Sequence, residues 1–493
     1  APAGAPGAPG TEVETLSGAV GDALEFDRPP AHKDEGDKRA SPGNPARIPK
    51  LSAPLSRLLL HGIDGGIARA DLLEKPAALA ELLDPVRLPS GRWPSPVSHH
   101  LYVAQQAAVN AILALGEVSP EDMPGASEEK LESFGPIASV NGPPGTGKSW
   151  LLRDVIAEVV VRKARRIAAL SASKEIFDFD HPLEFELGAD RQFAVMPVKR
   201  SVARDSLIVV ASNNNAAIRN ITDELPSSFA LERAFLSDAG QSAAAAPGTS
   251  GSAGKARFAY WQSCARAVKR AGLPKRRLSE TGSLFGESPD ALLENVWGLI
   301  SVTLGRKSNR LRFVRTVLKG REPGVYSDKK RESELALEIA SAKAALEKRG
   351  KGPEAAWLEA KKRFEDLDRA VAARRAAIAA QAALDNGRPA VYATPLAAAP
   401  VQHKTSLWVD EDFEALRSSL FLAALALSKA TVVAQSSYFL SNFKAIAEYI
   451  ESGMPPLTKG RPQAIWDVIA LLVPVISTTL ASAASMFAVC GPG

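Results

Sequence analysis

The sequence has little cysteine, few aromatic residues and no metal-binding cluster. Its 493 residues include two cysteines, Cys264 and Cys490, and only 6% are Phe, Trp or Tyr. Two cysteines so far apart exclude a disulfide framework and a cysteine-based zinc site, and they suit a reducing compartment. The six histidines show no metal-ligand spacing. We therefore expect a cytoplasmic protein.

A strong excess of charge is also lacking. The chain carries 60 Lys and Arg against 55 Asp and Glu, a net charge of +5. Only a local cluster of charged residues can therefore indicate a charged partner. The 45% apolar and 23% charged residues are ordinary for a folded soluble protein, and the length suggests roughly three domains.

The first residues do not show the basic and apolar regions of a secretory leader. The sequence starts without Met and ends at GPG directly after an apolar stretch, so we expect a fragment. Residues 468–493 carry no charge and are long enough to cross a bilayer. Against a membrane span, this stretch contains Pro474 and several Ser and Thr. We interpret it as a helix end, a buried strand (VPVIS) and the start of a small-residue helix, and we expect no membrane partner.

One motif carries chemistry. Gly142-Pro143-Pro144-Gly145-Thr146-Gly147-Lys148-Ser149 fits G-x-x-x-x-G-K-[ST] at every position. Glycines let successive backbone N–H groups converge on phosphate oxygens, and the helix that follows directs its positive end at the same anion. Lys148 would hold the β- and γ-phosphates, and the Ser149 hydroxyl would ligate Mg²⁺. An apolar strand at 137–140 and a helix from Lys148 to about Arg162 give the expected context, so the motif predicts binding of a nucleoside triphosphate.

Three further segments stand in a recognisable order around this motif. Gln105 begins a Q-x-x-A-V element, the strand SLIVVA (206–211) runs into Ser212-Asn213, and VPVISTTLAS follows far downstream. Together they resemble the Upf1/Dna2-like branch of superfamily 1 helicases, specifically a bacterial AAA-domain helicase-like group. GRWPS (91–95), NGPPGTGKSWLLRD and WGLISVTLGRKSNR (297–310) are also similar to that group. The resemblance covers roughly residues 90–493.

The resemblance implies an α/β fold, an incomplete RecA-like parallel sheet domain with α-helical insertions. It implies ATP and Mg²⁺ as cofactors, with Gln105 at the adenine and Trp150 completing the nucleotide-binding segment. It further implies that Ser212 and Asn213 contact the backbone of single-stranded DNA or RNA, and that a second RecA-like domain is the missing partner. Lys148 and Ser149 would be the catalytic residues.

The family also places a Walker B carboxylate pair soon after the VPVIS strand, and this chain ends first. Asp410-Glu411 is the one alternative, but only three apolar residues precede it and a long apolar helix follows. We assign both acids to the start of that helix, where the helix dipole favours carboxylates. The fragment alone is therefore expected to bind ATP without being competent to hydrolyse it.

A basic stretch follows the strand SLIVVA. Residues 255–331 hold 18 Lys and Arg against 6 Asp and Glu. Aromatic residues are interleaved with them: Phe258, Tyr260, Trp261, Phe285, Trp297, Phe313 and Tyr326. Cations with stacking rings suit a single-stranded nucleic-acid channel, and the alternative is a solvated basic face over a helical core.

The organisation that we predict has seven parts. They are an irregular or flexible remnant (1–50), a small helical lead-in (51–95), the first part of the RecA-like domain (96–235), a basic insertion (236–331), a helical hairpin insertion (332–385), a helical segment (386–465) and a truncated return to the RecA-like domain (466–493). The hairpin could instead be a packing element or a dimerisation arm. Two other functions stay open: a P-loop ATP-dependent switch or scaffold without translocation, and an AAA+ remodelling ATPase.

Overall fold

The structure, a computed structural model, describes most of the chain between residues 82 and 487. The described residues are 82–96, 99–115, 140, 147–204, 206–232, 235, 258–272, 293, 295–320, 332–384, 408 and 410–487. All of them belong to one compact unit, Ser52–Gly493. The predicted remnant 1–50, most of the lead-in, strand residues 137–139 and residues 238–256 lie outside the described part.

The described residues form a mixed α/β fold. The helices are α1 (Val103–Leu115), α2 (Lys148–Ala168), α3 (Arg200–Ala203), α4 (Asn215–Glu224), α5 (Gln262–Gly272), α6 (Lys307–Phe313), α7 (Glu334–Glu347), α8 (Pro353–Leu384), α9 (Glu411–Ala434), α10 (Ser436–Glu451), α11 (Gln463–Leu472) and α12 (Leu480–Phe487). The strands are β1 (Leu183–Glu186), β2 (Gln192–Val195), β3 (Ile208–Ser212), β4 (Ser301–Thr303) and β5 (Val475–Thr479). Short 3₁₀ helices span Pro85–Arg87, Ser173–Ile176 and Ser228–Ala230, and a π-helical turn, Val314–Leu318, continues α6.

A small parallel sheet has the order β3-β5-β4. Strand β5 lies in the middle, with Ser212 level with Thr479 on one side and Thr303 level with Ser477 on the other. Its first four residues are buried, as expected for a parallel strand covered on both faces. The apolar run VPVIS predicted this strand correctly.

Strand β4 corrects the predicted organisation. It lies within 236–331, the stretch assigned to a basic insertion, yet it pairs in the same sheet as β3. Its residues follow the buried Leu299 and Ile300, and this short apolar run is what places the strand in the core. That part of the stretch therefore belongs to the sheet.

The sequence also left one antiparallel pair unpredicted. Strands β1 and β2 pair with Leu183 opposite Val195. The rings of Phe185 and Phe193 stack across this pair with centroids 5.3 Å apart. Four-residue strands between charged loops give too short a pattern to recognise from sequence.

The predicted helical hairpin exists, but its two helices pack mainly on other elements. Residues 348–352, which include Gly350 and Gly352, separate α7 from α8. Helix α8 lies along α9, where the Trp357 indole N–H donates to Thr431 Oγ1 at 3.1 Å. Helix α7 packs against α5. Because Trp357, Phe364 and Val371 are buried in the main core, this segment is part of the fold's interior.

Among the described residues, only α9 is long and apolar enough to cross a membrane. Its most apolar window is 72% buried inside the protein, which is how a core helix of a soluble protein behaves. The uncharged stretch at the end of the chain forms the last residues of α11, then β5, then α12. The interpretation as helix, buried strand and helix start is confirmed for the described part of that stretch.

Candidate functional site

Helix α2 starts directly after Gly147, which adopts a left-handed conformation. Its φ of 76° favours glycine because a side chain there would be strained. No described side chain caps this helix end, and an uncapped N-terminus presents N–H groups and a positive dipole end to an anion. Residues 142–146 and the side chains of Lys148 and Ser149 lie outside what the structure describes, so their roles stay predictions.

The structure brings Gln105 of α1 against this turn. A Cβ added to Gly147 would lie 2.3 Å from Gln105 Nε2. The Gln105 Oε1 accepts a hydrogen bond from the Tyr102 N–H at 2.9 Å, which directs the NH₂ group of the amide toward Gly147. Two sequence motifs that lie far apart along the chain therefore meet at the start of α2.

An aromatic surface adjoins this meeting point. The Trp150 side chain is 37% exposed and Tyr102 is exposed as well. The Arg153 guanidinium lies 4.4 Å from the Trp150 ring centroid, within the range of a cation–π contact. The His99 ring meets Trp150 edge-on at 6.2 Å. A flat ring with one face supported by a guanidinium can stack on a planar base.

The loop that carries His99 is held by the buried Arg92. Its guanidinium donates to the carbonyl oxygens of Ser95, Pro96 and His99 at 2.9 to 3.0 Å. Arg92 also pairs with Glu414 of α9. Burial lowers the pKa of Arg92, and the Glu414 carboxylate acts in the opposite direction. The GRWPS segment thus fixes the approach to α2 from one side.

A buried ionic network joins that segment to α2 and α9. Arg417 donates to Glu414 Oε1 at 2.7 Å, and its guanidinium lies 3.9 Å from Asp154. Asp154 accepts a hydrogen bond from the Trp93 N–H at 3.0 Å. Burial raises the pKa of Asp154, while the charges of Arg417 and Arg92 lower it. We call these four residues, Arg92, Asp154, Glu414 and Arg417, the buried ion cluster.

Polar residues collect where the parallel strands end. The Ser212 Oγ accepts a hydrogen bond from the Asn214 N–H at 3.1 Å, and Asn213 is exposed. After β5, Thr479 Oγ1 donates to Ser482 Oγ at 2.8 Å. Carboxyl ends of parallel strands share one edge of a sheet, and ligands commonly bind there in open α/β sheets. The predicted residues Ser212 and Asn213 therefore lie at such an edge.

The register places cations at the same edge. Because Thr303 is level with Ser477 and Ser212 with Thr479, Arg306 follows β4 at about the height of Asn213 after β3. Arg306 and Lys307 are exposed. With strands about 4.8 Å apart, β3 and β4 lie about 10 Å from each other across β5. Gly305 allows this turn, since a Cβ there would lie 2.3 Å from Thr478 Oγ1.

Among the described residues, the aromatic side chains of the basic stretch do not form an exposed stacking channel. Phe258 is partly buried, with its ring centroid 6.1 Å from that of Trp297. Tyr260, Trp261, Trp297 and Phe313 are buried in the main core, so the prediction that they serve as exposed rings is wrong. Their apolar area stabilises the fold, and the Trp297 indole donates to Leu225 O at 2.8 Å. Phe285 and Tyr326 lie outside the described residues.

Some of the cations also have structural partners. Lys319 pairs with Glu448 and Glu451 of α10, and Arg310 donates to Gly305 O at 2.6 Å. Lys319 and Arg310 are therefore already engaged with protein groups, although the sequence pattern suggested that they could bind a ligand. The exposed Arg306 and Lys307 are the part of the stretch that adjoins the strand ends.

Asp410 is a helix cap, as predicted. Its carboxylate accepts the Phe413 N–H at 2.8 Å at the start of α9 and pairs with Arg374. The hydrogen bond from Arg374 lowers the pKa of Asp410. Within the described residues, no group of three or more His, Cys, Asp or Glu is placed to hold a metal ion.

Sequence reasoning missed the residues around Trp150. His99 and Arg153 meet there only because the loop after GRWPS packs against α2. Of these residues, only Arg153 could have been found from the sequence, because it lies three residues after Trp150 and therefore on the same face of α2.

Comparison with known proteins adds no relative. No protein-family model, no curated protein and no solved structure matches this chain.

Proposed function

We propose that this chain is the ATP-binding first motor domain of a superfamily 1 helicase-like ATPase. In this proposal the small parallel sheet is part of an incomplete RecA-like domain. The intact protein would couple ATP hydrolysis to movement on, or unwinding of, nucleic acid in the cytoplasm. The observation that carries the proposal is the contact of the Gln105 amide with Gly147 at the start of α2.

The nucleotide site would be built around that contact. The fit of ATP rests on the left-handed Gly147 and on a helix start that no described side chain caps. The backbone of 142–147 would surround the phosphates, Lys148 would neutralise them, and Ser149 would ligate Mg²⁺. Bound Mg²⁺ supplies charge neutralisation for phosphoryl transfer. Trp150 would stack on the base, and the Gln105 amide would read the adenine edge.

The polynucleotide would cross the carboxyl edge of the sheet. Ser212 and Asn213 lie at one end of that edge and Arg306 and Lys307 at the other. Cations contribute affinity for phosphates without reading sequence, so either DNA or RNA fits this edge.

Hydrolysis would need groups from elsewhere in the intact protein. Because Asp410 caps α9 and pairs with Arg374, its carboxylate already has structural partners and we assign it no part in polarising water. We expect the second RecA-like domain to contribute the arginine that stabilises charge in the transition state.

The first experiment measures ATP binding by titration calorimetry on the full chain with Mg²⁺. Lys148→Ala should weaken binding at least tenfold because the phosphates lose their point charge. Gln105→Ala should reduce the preference for ATP over GTP by about tenfold, as expected for one or two lost hydrogen bonds. Undiminished ATP affinity in Lys148→Ala would refute the proposal.

The second experiment separates a motor from a nucleotide switch. Binding of labelled single-stranded DNA and RNA should weaken in Asn213→Ala and in Arg306→Ala/Lys307→Ala. The matched control Lys343→Ala/Lys348→Ala removes one cation within α7 and one directly after it. ATP binding without affinity for either polymer would instead favour a switch or scaffold, and a nucleotide-dependent ring would favour a remodelling ATPase.

A further inference from the structure

The proposed ATP site and the proposed polynucleotide edge are joined by a single short helix. Helix α4 begins just after Ser212 and Asn213 and ends at Glu224. Its 10 residues make a rod about 15 Å long. The first turn of this helix therefore adjoins the proposed polynucleotide edge.

The far end of α4 is tied to α2 through Arg153. The Arg153 guanidinium forms an ion pair with Glu224. The same guanidinium lies 4.4 Å from the centroid of Trp150, the ring beside Gly147 and Gln105. Its side chain is only 10% exposed, whereas that of Glu224 is 48% exposed. Arg153 is therefore largely buried beside Trp150, whereas Glu224 is the more exposed partner and can be exchanged at little cost to the fold.

Helix α4 is also coupled to the sheet along its length. The Thr222 hydroxyl lies 2.5 Å from Ser477 Oγ and 3.1 Å from Thr303 Oγ1. These two residues belong to β5 and β4, whose ends form the polynucleotide edge. Helix α4 therefore cannot move without changing its contacts with the two strands.

We propose that the Arg153–Glu224 ion pair couples nucleotide binding at Trp150 to polynucleotide binding at Ser212 and Asn213. This inference rests on the proposed function, because it requires both ligands. A base stacked on Trp150 changes the position of the Arg153 guanidinium, and Glu224 transmits that change to α4. Arg153 and Glu224 are positioning residues in this scheme, since they act through Trp150 and through α4.

The test is a coupling measurement on the full chain. The affinity of a fluorescein-labelled single-stranded 12-mer is measured by anisotropy, with and without a saturating non-hydrolysable ATP analogue and Mg²⁺. In the unsubstituted protein, the analogue should change the oligonucleotide Kd by about fivefold or more, the usual range for coupled sites. By linkage, the oligonucleotide must change the Kd of the analogue by the same factor.

Glu224→Gln removes the charge of the ion pair but keeps the shape of the side chain. It should reduce the coupling to less than twofold, while the Kd of each ligand measured alone stays within about twofold. A merely structural role would not produce this pattern. Arg153→Lys keeps the charge but loses the planar stack on Trp150, so it should also reduce the coupling. The matched control Glu347→Gln, which neutralises an exposed carboxylate of α7, should keep it.

Three outcomes overturn the inference. Full coupling in Glu224→Gln excludes the ion pair as the link. An unsubstituted protein that binds both ligands without coupling refutes the inference and leaves the proposed function standing. A protein that binds neither ligand refutes the proposed function as well.

Discussion

Gly147 shows how a single residue can serve two requirements. Its left-handed φ satisfies the turn into α2, and its missing side chain leaves room for the Gln105 amide. The second requirement depends on a neighbour that is distant in sequence. Only the fold therefore reveals why a larger residue at 147 would disturb the candidate adenine contact.

We expect Gly147→Ala and Gly350→Ala to lose similar unfolding free energy, about 1–2 kcal/mol, because both glycines have positive φ. Only Gly147→Ala should reduce the preference for ATP over GTP, since its Cβ displaces the Gln105 amide. Gly350 has no atom within 4 Å of an added Cβ and serves as the matched control. Urea unfolding and calorimetric titration measure the two effects. An unchanged ATP-to-GTP ratio in Gly147→Ala would contradict the proposed role of Gln105.

Lys163 is a second residue whose properties come from its surroundings. It is buried on α2, and its Nζ donates to Ala470 O at 2.8 Å. Burial lowers the pKa of Lys163 from 10.5 to about 7. Between these two values the unfolded chain binds more protons than the folded one. The contribution of this group to stability therefore rises with pH across that window, by at most about 1.4 kcal/mol per pH unit.

We expect Lys163→Met to stabilise the protein most below pH 7, where the wild-type side chain carries a buried charge. The gain should shrink as pH rises and disappear near pH 10.5. Urea unfolding of both proteins over this pH range measures the difference. Lys348→Met, which removes an exposed charge at the end of α7, should show no such trend. A gain that does not vary with pH would mean that the pKa of Lys163 is the same in the folded and the unfolded chain.

At the scale of secondary-structure elements, the start of α9 distinguishes a structural carboxylate from a catalytic one. Asp410 caps the helix and pairs with Arg374. Asp410→Ala should lower the unfolding free energy by about 1 kcal/mol, whereas Asp410→Asn should keep most of the cap. Nucleotide binding should not change in either variant. Loss of Mg²⁺-dependent ATP binding in Asp410→Asn would restore the Walker B interpretation.

The sequence predicted long elements better than short ones. Helices α8 and α9 and strand β5 have apolar patterns that can be read directly, and α2 continues to Ala168, beyond the predicted end near Arg162. Strands β1 and β4 have four and three residues, too few for periodicity to identify. The partners of α7 and α8 were also not predictable, because an apolar stripe shows that a helix face is buried and not what covers it.

The candidate site was predictable to a similar degree. The motif spacing identified Gly147, and the resemblance identified Gln105, Ser212 and Asn213. The supporting residues Arg92, His99 and Arg153 could not be found, because their roles depend on packing between separate segments. In the basic stretch, by contrast, the sequence suggested a binding role for aromatic rings that lie in the core. Composition alone does not distinguish a core ring from an exposed one.

At the scale of the whole molecule, the buried ion cluster holds three separate segments together. Arg92, Asp154 and Arg417 come from the GRWPS loop, α2 and α9. Glu414→Gln should lower the unfolding free energy by about 3 kcal/mol or more, because it removes the nearest carboxylate from two buried guanidinium groups. Glu359→Gln, in an exposed pair with Lys351, should cost well under 1 kcal/mol. Urea unfolding of both variants measures the contrast, and equal losses would show that the cluster contributes no more than a surface pair.

The position of β5 in the middle of the sheet has a consequence for biosynthesis. Among the described strands, β3 and β4 are joined only through β5, which lies near the end of the described chain. At about 5–20 residues per second, a ribosome needs on the order of ten seconds or more to proceed from β3 to β5. During that interval two apolar strands emerge without their partner, and this sheet can be completed only after β5 has left the exit tunnel.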